Sequence, residues 1–393
     1  MRLSELTEAT TRDAAIRRRR RLQPAGGAGD KLFPPTYPGE GRNNPPPRHV
    51  FEMRHIDGHE VRCVLLDSVQ SQANRLEEAL LAAVAAGHAR LPRVVVDFPA
   101  AGLNSLPVIS SLEAPHRIFD AILRDSLLDG KPFRDSALGI RLRQATPHDA
   151  TAILEVSPTA LLFGAWNSTG EGGGIGAKFA RAIVSEIVGI DAVVGTRTGS
   201  RIDPLGILNS VEIFQAEDGN WDVTEAKAGK KAKKIRPSEI NHGNIKPSVA
   251  ELGVTCAYAE QTCVITFAGL RRLRFGGTAE RDAAGRAYLA ALGLLALAEA
   301  DAQGYALRSR CDLVCDGPAP LELVAFDGTV QTLTLDLAGA RALHTAAFDA
   351  ARDAGFALDP APVRLMPQEK LLHIIRESQK RALSDEGGEQ DAE

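Results

Sequence analysis

Aromatic residues are scarce in this chain: they make up 5% of its 393 residues, with only two tryptophans and four tyrosines. A sheet that reads nucleic acid by stacking bases on exposed Phe and Tyr is therefore a poor fit. Cysteine is limited to Cys63, Cys256, Cys263, Cys311 and Cys315, with no C-x-x-C pair. Most sit among apolar residues of expected strands and read as buried thiols, not zinc ligands. The longest uncharged apolar run, Tyr288 to Ala298, is too short to cross a bilayer, and the N-terminus carries charge where a secretory signal needs apolar residues. A cytoplasmic location is expected. Catalytic signatures are missing as well: there is no G-x-S-x-G, no H-E-x-x-H, no zinc-deaminase pattern and no carboxylate cluster with metal-ligand spacing. We expect no catalytic residue, no metal and no cofactor.

What is present is an ordinary hydrophobic content of 44%, enough for a sizeable core in one elaborated domain or two. The net charge of −4 does not suggest a nucleic-acid protein, but its distribution does. Basic residues concentrate at Arg17 to Arg21 and at Lys227, Lys230, Lys231, Lys233, Lys234 and Arg236, while acid concentrates from Asp385 to Glu393. Such placement makes either a positive groove on an acidic protein or a solvated face.

The most informative stretch is Leu161 to Arg201. An apolar, strand-like run ending at Ala165 and Trp166 feeds a loop with Gly170, Gly172, Gly173, Gly174 and Gly176, and an amphipathic helix bearing Lys178 and Arg181 is expected to follow. Successive glycines let backbone N–H groups converge on an anion at a helix start, or simply allow close packing. A Walker loop is excluded because Lys178 precedes Phe179, not Ser or Thr. Gly172, Gly174 and Ala177 do fit G-x-G-x-x-A, which keeps a nucleotide-dependent oxidoreductase as the alternative; however, Asp191 lies before Val193 and Val194, not at the end of that strand.

Taken in order, Leu3 to Leu22 reads as helix, and Gly26 to Pro47 as a Gly/Pro-rich arm. A hairpin about Asp57-Gly58 leads into a polar corner, Ser68 to Arg75, and a helix from about Asn74 to Ala86. Arg93 to Phe98 reads as strand and Pro115 to Leu128 as helix. Beyond the glycine stretch, a hairpin over Val211 to Thr224 runs into the lysine cluster and then a polar loop, Ile240 to Pro247, where His242 is a surface or contact residue before it is a general base. Val254 to Phe267 is expected as strand, Ala279 to Ala302 as a mostly buried helix, Asp327-Gly328 as a hairpin turn, and Ala338 to Ala354 and Gln368 to Leu383 as helices. These pieces make an α+β protein.

Four separated segments carry a resemblance: LQPAGGAGDKLFPPTY (Leu22 to Tyr37), LLDSVQSQANRLE (Leu65 to Glu77), LLFGAWNSTGEGGGIGAKFARAIVSEIVG (Leu161 to Gly189) and INHGNIKPS (Ile240 to Ser248). In these the chain resembles the RAMP-superfamily backbone subunit of type I-U, or type I-G, CRISPR surveillance complexes (Cascade). The resemblance implies a modified RNA-recognition-motif (ferredoxin-like) core with finger and thumb-like extensions. It divides the chain into an N-terminal helix and arm over 1–48, an elaborated domain over 49–383 with a thumb-like insertion at about 211–250, and an acidic tail over 384–393. It implies a non-catalytic subunit that lines up with further copies of itself along CRISPR RNA, holds the sugar-phosphate backbone and presents the guide to a target DNA strand. The other Cascade subunits and a separate helicase-nuclease are the implied partners, with no membrane. Candidate RNA contacts are Gln70, Gln72, Asn74 and Arg75 at the polar corner; Trp166, Asn167, Ser168, Gly172, Gly173, Gly174, Lys178 and Arg181 around the glycines; Arg197 and Arg201; Lys230, Lys231, Lys233 and Lys234; and Asn241, His242 and Asn244. Neutral donors and cations of this kind bind backbone without reading sequence, which leaves a guide's bases free to pair.

Overall fold

Alternation, not helical periodicity, governs the arginine run. The N-terminal helix stops at Leu3–Arg12, and Ala15–Pro24 forms strand β1, with Ile16, Arg18 and Leu22 buried on one side and Arg19 and Arg21 exposed on the other. The expectation of one helix to Leu22 is thus corrected: β-branched Ile16 and a period of two win over the helix propensity of arginine. In this computed structural model, residues 1–39, 48–167, 177–216, 219–228 and 232–385 are described. Most of the Gly/Pro-rich arm is among them, but its 40–47 part, the glycines at 168–176 and the acidic tail from 386 lie outside them.

Five further elements complete a core with β1. Helix α1 (Val69–Ala85) begins at its cap Ser68, whose hydroxyl accepts the Ser71 N–H at 3.2 Å, so it starts earlier than the expected Asn74. Strands β2 (Ile183–Ile190) and β3 (Tyr258–Thr266), helix α2 (Ala279–Gln303) and strand β4 (Cys311–Cys315) follow in chain order. The sheet order is β4-β1-β3-β2, every neighbour antiparallel. The chain therefore runs strand, helix, strand, strand, helix, strand, with the fourth strand beside the first. A hairpin of Phe51–Ile56 and His59–Asp67 extends the sheet beyond β2, as its Asp-Gly turn predicted, and Tyr305–Arg308 lies outside β4. Leu321–Val324 and Val330–Leu333, joined at the second Asp-Gly turn, attach to β1.

Helix α2 packs against α1, the N-terminal helix and the helix Leu337–Asp353, and Tyr288 through Leu292 are buried. By length and composition α2 is apolar enough to cross a bilayer, yet 72% of its apolar window is buried inside the fold. Four of the five cysteines are buried and Cys315 is exposed. Burial pushes the thiols of Cys256 and Cys263 up to about 11 and that of Cys311 up to about 12.

A second, five-stranded sheet sits in the same unit, ordered Val108–Ser110, Val94–Asp97, Val363–Pro367, Ser126–Leu128, Lys131–Pro132. Its third strand was not legible in the sequence, and the helix expected over Pro115 to Leu128 is instead a short 3-10 turn, Arg117–Phe119, a four-residue helix, Ala121–Arg124, and the strand Ser126–Leu128. Contacts divide the chain into two compact units. The larger takes Met1–Val193 and Val254–Gln368, and its N-terminal residues include β1 of the main sheet. The smaller takes Val194–Gly253 with Glu369 onward.

Candidate nucleic-acid interface

The polar corner is largely internal. Gln72, on the buried side of α1, donates to Asp67 Oδ2 at 2.6 Å and accepts from the Ser185 hydroxyl at 2.7 Å and from Gln261 Nε2 at 2.9 Å. Arg75 donates to the same Asp67 oxygen at 2.9 Å and to the Leu307 carbonyl at 2.5 Å. The network runs on through Gln261 to Arg18 and to Tyr305, whose hydroxyl donates to Asp301 at 2.8 Å. Buried polar groups that satisfy one another in this way tie helices to sheet. Gln70 and Asn74, one turn apart, remain exposed on the outer face of α1. The groove that Asn74 lines also carries the carboxylates of Glu78 and Glu113 and none of the basic residues, which disfavours a phosphate there.

Around the glycines the geometry is more promising. Ala165–Trp166 and Lys178–Phe179 pair antiparallel, with Trp166 opposite Lys178, and the Lys178 ammonium sits 4.5 Å from the centre of the Trp166 ring. The Asn167 N–H donates to the Ala177 carbonyl at 3.2 Å, so the described residues on either side of the glycines are held together. Trp166 remains 47% exposed, a free aromatic face beside a cation. The helix expected to carry Lys178 and Arg181 is absent; strand backbone takes its place from Lys178 and again from Ile183, because Ile183, Val184, Ile187 and Val188 supply β-branched residues to a sheet position. This removes the helix N-terminus that an oxidoreductase would need for a dinucleotide pyrophosphate. Ser168, Gly172, Gly173 and Gly174 lie outside the described residues.

Arg181 turns inward to donate to the Phe163 carbonyl at 3.1 Å, and burial and then the nearby Arg117 hold its guanidinium below its ordinary value. Arg117 grips Glu77 with two bonds of 2.7 Å and also donates to the Gly164 carbonyl at 3.0 Å. Burial pushes the Glu77 carboxyl up to about 7, against the pull of Arg117. Gly164 has φ of +85°, and a Cβ there would lie 2.8 Å from Arg181 Cγ, so only glycine opens the way to Trp166.

In the smaller unit, Val193–Arg201 and Ile245–Thr255 pair as a ribbon. Asp203 organises its end: the carboxylate accepts the N–H groups of Leu205 at 3.0 Å, Gly243 at 2.9 Å and Ile207 at 3.4 Å, while its own N–H donates to Asn244 Oδ1 at 2.6 Å. Those backbone donors, that of Leu205 first, hold its carboxyl below the usual range. Asn241 adopts φ of +61° and Gly243 φ of +88°. Arg201 donates to the Asn241 carbonyl at 2.9 Å. The INHGN motif is therefore first a turn built around a carboxylate. His242 lies edge-on to Trp221 at 6.0 Å. Lys233 and Lys234 stand exposed on the strand Lys233–Ile235, with Lys234 2.6 Å from Glu212, and Arg197 is exposed on the ribbon. Lys230 and Lys231 lie outside the described residues.

Residues 16–194 match the family described as CRISPR-associated protein GSU0053. Over that stretch the chain is similar to this CRISPR-associated family. Three of the four motifs on which the resemblance rests fall inside the matched residues, and the match supports the recognition of a CRISPR-associated protein. No curated protein matches the chain. Among solved structures, the crystal structure of Csc2 from Thermofilum pendens aligns over 95% of this chain and 79% of its own at 12% identity, with a TM-score of 0.26 that is too low to bear on the fold.

One further pairing had no signal in the sequence. The Glu77–Arg117 pair joins residues forty positions apart, beyond any local pattern. Asp203, by contrast, begins an Asp-Pro turn ahead of Gly206 and was open to recognition as an organising carboxylate. Among the described residues no three His, Cys, Asp or Glu side chains gather as a metal site.

Proposed function

We propose that the chain is a non-catalytic backbone subunit of a Cascade-type CRISPR complex, lining up with copies of itself along CRISPR RNA and holding its sugar-phosphate backbone. The observation that carries this reading is the Trp166–Lys178 platform, an exposed indole with an ammonium at 4.5 Å, placed within residues that match a CRISPR-associated family. An aromatic face and a cation together suit single-stranded nucleic acid without sequence preference. The order β4-β1-β3-β2, with α1 and α2 as the two crossing helices, supports a modified RNA-recognition-motif core. The scarcity of aromatics fits a sheet that does not stack bases, and leaves the guide free to pair with a target DNA strand. Type I-U membership, the remaining Cascade subunits, the helicase-nuclease and a cytoplasmic location belong to the same proposal.

Within it, the RNA contacts among the described residues narrow to Trp166, Asn167 and Lys178 in the larger unit and to Arg197, Lys233 and Lys234 in the smaller one, with Gln72 and Arg75 serving the fold and Lys230 and Lys231 kept as contacts. Co-expression with a CRISPR array and the neighbouring subunits, followed by sequencing of the RNA that co-purifies, tests the proposal. Guide RNA as the cargo is the expected result, and particle mass should grow when the guide is lengthened. Protein that emerges free of nucleic acid, or with a bound nicotinamide, overturns it.

A further inference from the structure

Three successive carbonyls are pinned where the chain turns out toward Trp166. The short helix Pro158–Leu162 ends there. The Leu162 carbonyl accepts the Ala182 N–H at 2.8 Å, that of Phe163 accepts from Arg181 Nε at 3.1 Å, and that of Gly164 accepts from Arg117 at 3.0 Å. The strand Ala165–Trp166 follows at once. The two side-chain donors belong to one cluster. Buried Arg117 holds both carboxylate oxygens of buried Glu77 and lies over the Phe163 ring at 5.6 Å, and the Glu77 charge also acts on Arg181.

Stability alone does not account for this cluster. Arg117 has φ of +52°, a left-handed conformation that disfavours any residue with a Cβ. A buried ion pair, for its part, is commonly no more stable than apolar side chains of the same volume. Backbone strain and buried charge persist where the surrounding structure must hold one arrangement. What is held here is the exit to the Trp166–Lys178 platform. With Nε and one Nη of Arg117 on Glu77, the other Nη is aimed at the Gly164 carbonyl, a fork that a lysine cannot supply.

We infer that Arg117 and Arg181, tied together by Glu77, are positioning residues that set the orientation of Trp166 beside Lys178 without touching nucleic acid themselves. The use of that orientation for RNA rests on the proposed function; the orientation itself does not. Trp166 and Trp221 are the only tryptophans, so full-length Trp221→Phe protein reports on Trp166 alone. In that protein, time-resolved anisotropy of the indole emission measures how freely Trp166 moves, and a labelled single-stranded RNA measures binding across a range of salt. Glu77→Leu combined with Arg117→Met removes the pair without leaving a buried charge, and Arg181→Met removes the second donor at a half-buried position.

Both variants should raise the amplitude of fast indole motion. They should weaken RNA binding roughly tenfold, in the range for loss of one stacked base, at an unaltered slope of log affinity against log salt. Lys178→Ala, by comparison, should lower that slope by roughly 0.7. Thermal melting identifies a variant that fails to fold, and Arg181→Met then decides alone. Indole motion unchanged from that of the Trp221→Phe protein overturns the inference. A slope lowered by about 0.7 or more in either variant overturns it too, because the arginines would then be phosphate contacts. If the unaltered protein binds no RNA, the proposed function is contradicted, and indole motion still decides the inference.

Discussion

The two basic stretches of the chain, Arg17–Arg21 and the cations within Val194–Gly253, are alike as charge and opposite as structure. On β1 every arginine meets a carboxylate: Arg17 with Glu322 at 2.7 Å, Arg18 with Asp301, Arg19 with Glu260 at 3.0 Å, Arg20 with Asp301 at 3.0 Å and Arg21 with Asp316 at 2.9 Å. In the insertion Lys234 meets Glu212 and Arg201 reaches backbone carbonyls, while Arg197 and Lys233 stand exposed and meet no carboxylate among the described residues. A central strand has antiparallel neighbours along its edges and a helix over one face, and those elements supply acids. A ribbon has no such neighbours. Density of positive charge in a sequence therefore says little about positive charge available to a polyanion.

The contrast can be broken first at its buried end. Asp301→Ala leaves Arg18, 4% exposed, as an uncompensated charge, and should cost about 3–5 kcal/mol in urea unfolding. Gly243→Ala in the insertion should cost about 1–2 kcal/mol, because its φ of +88° is a left-handed conformation and a Cβ would lie 2.8 Å from Asn209 Oδ1. The loss should be local, seen as faster hydrogen exchange at the Leu205 and Gly243 amides. Arg19→Ala, on the exposed face of the same β1, should cost no more than about 1 kcal/mol. A result as large as that of Asp301→Ala would mean that burial is not what distinguishes the two.

Acid should also separate the regions. His344 is fully buried against Tyr288 and Phe348, with neither ring nitrogen hydrogen-bonded among the described residues. Burial, and then Arg90, pull it down to about 4. The unfolded chain takes up its proton near the ordinary value of about 6.5, so this contribution to stability is present above pH 6.5 and is lost as pH falls from there toward 4. His344→Phe should flatten that part of the melting temperature's pH dependence. Changes in the insertion should leave it unaltered.

Most of the scaffold was legible because it is local. Asp57-Gly58 and Asp327-Gly328 fixed two hairpins, and the alanine- and leucine-rich run from Ala279 fixed the buried helix within a residue or two. The failures came where tertiary context overrode local preference: Arg17–Arg21 lies in a strand whose period of two buries Ile16, Arg18 and Leu22 between antiparallel neighbours, and Lys178 to Arg181 lost its helix to a two-stranded pairing with Trp166. At the candidate site, Trp166, Lys178 and the INHGN segment were singled out from residue type and from the resemblance. The inward turn of Gln72 and Arg75 was not, since a polar run at a strand–helix corner looks the same whether it faces solvent or Asp67.

Salt dependence of binding to a single-stranded RNA tests the central claim most directly. Each lost phosphate contact lowers the slope of log affinity against log salt by roughly 0.7. Replacing Lys230, Lys231, Lys233 and Lys234 with alanine should lower it by up to about 3, whereas Arg17, Arg19 and Arg21 changed together to glutamine should leave it unaltered. An unaltered slope in the lysine variant, or a lowered one in the arginine variant, would contradict the account.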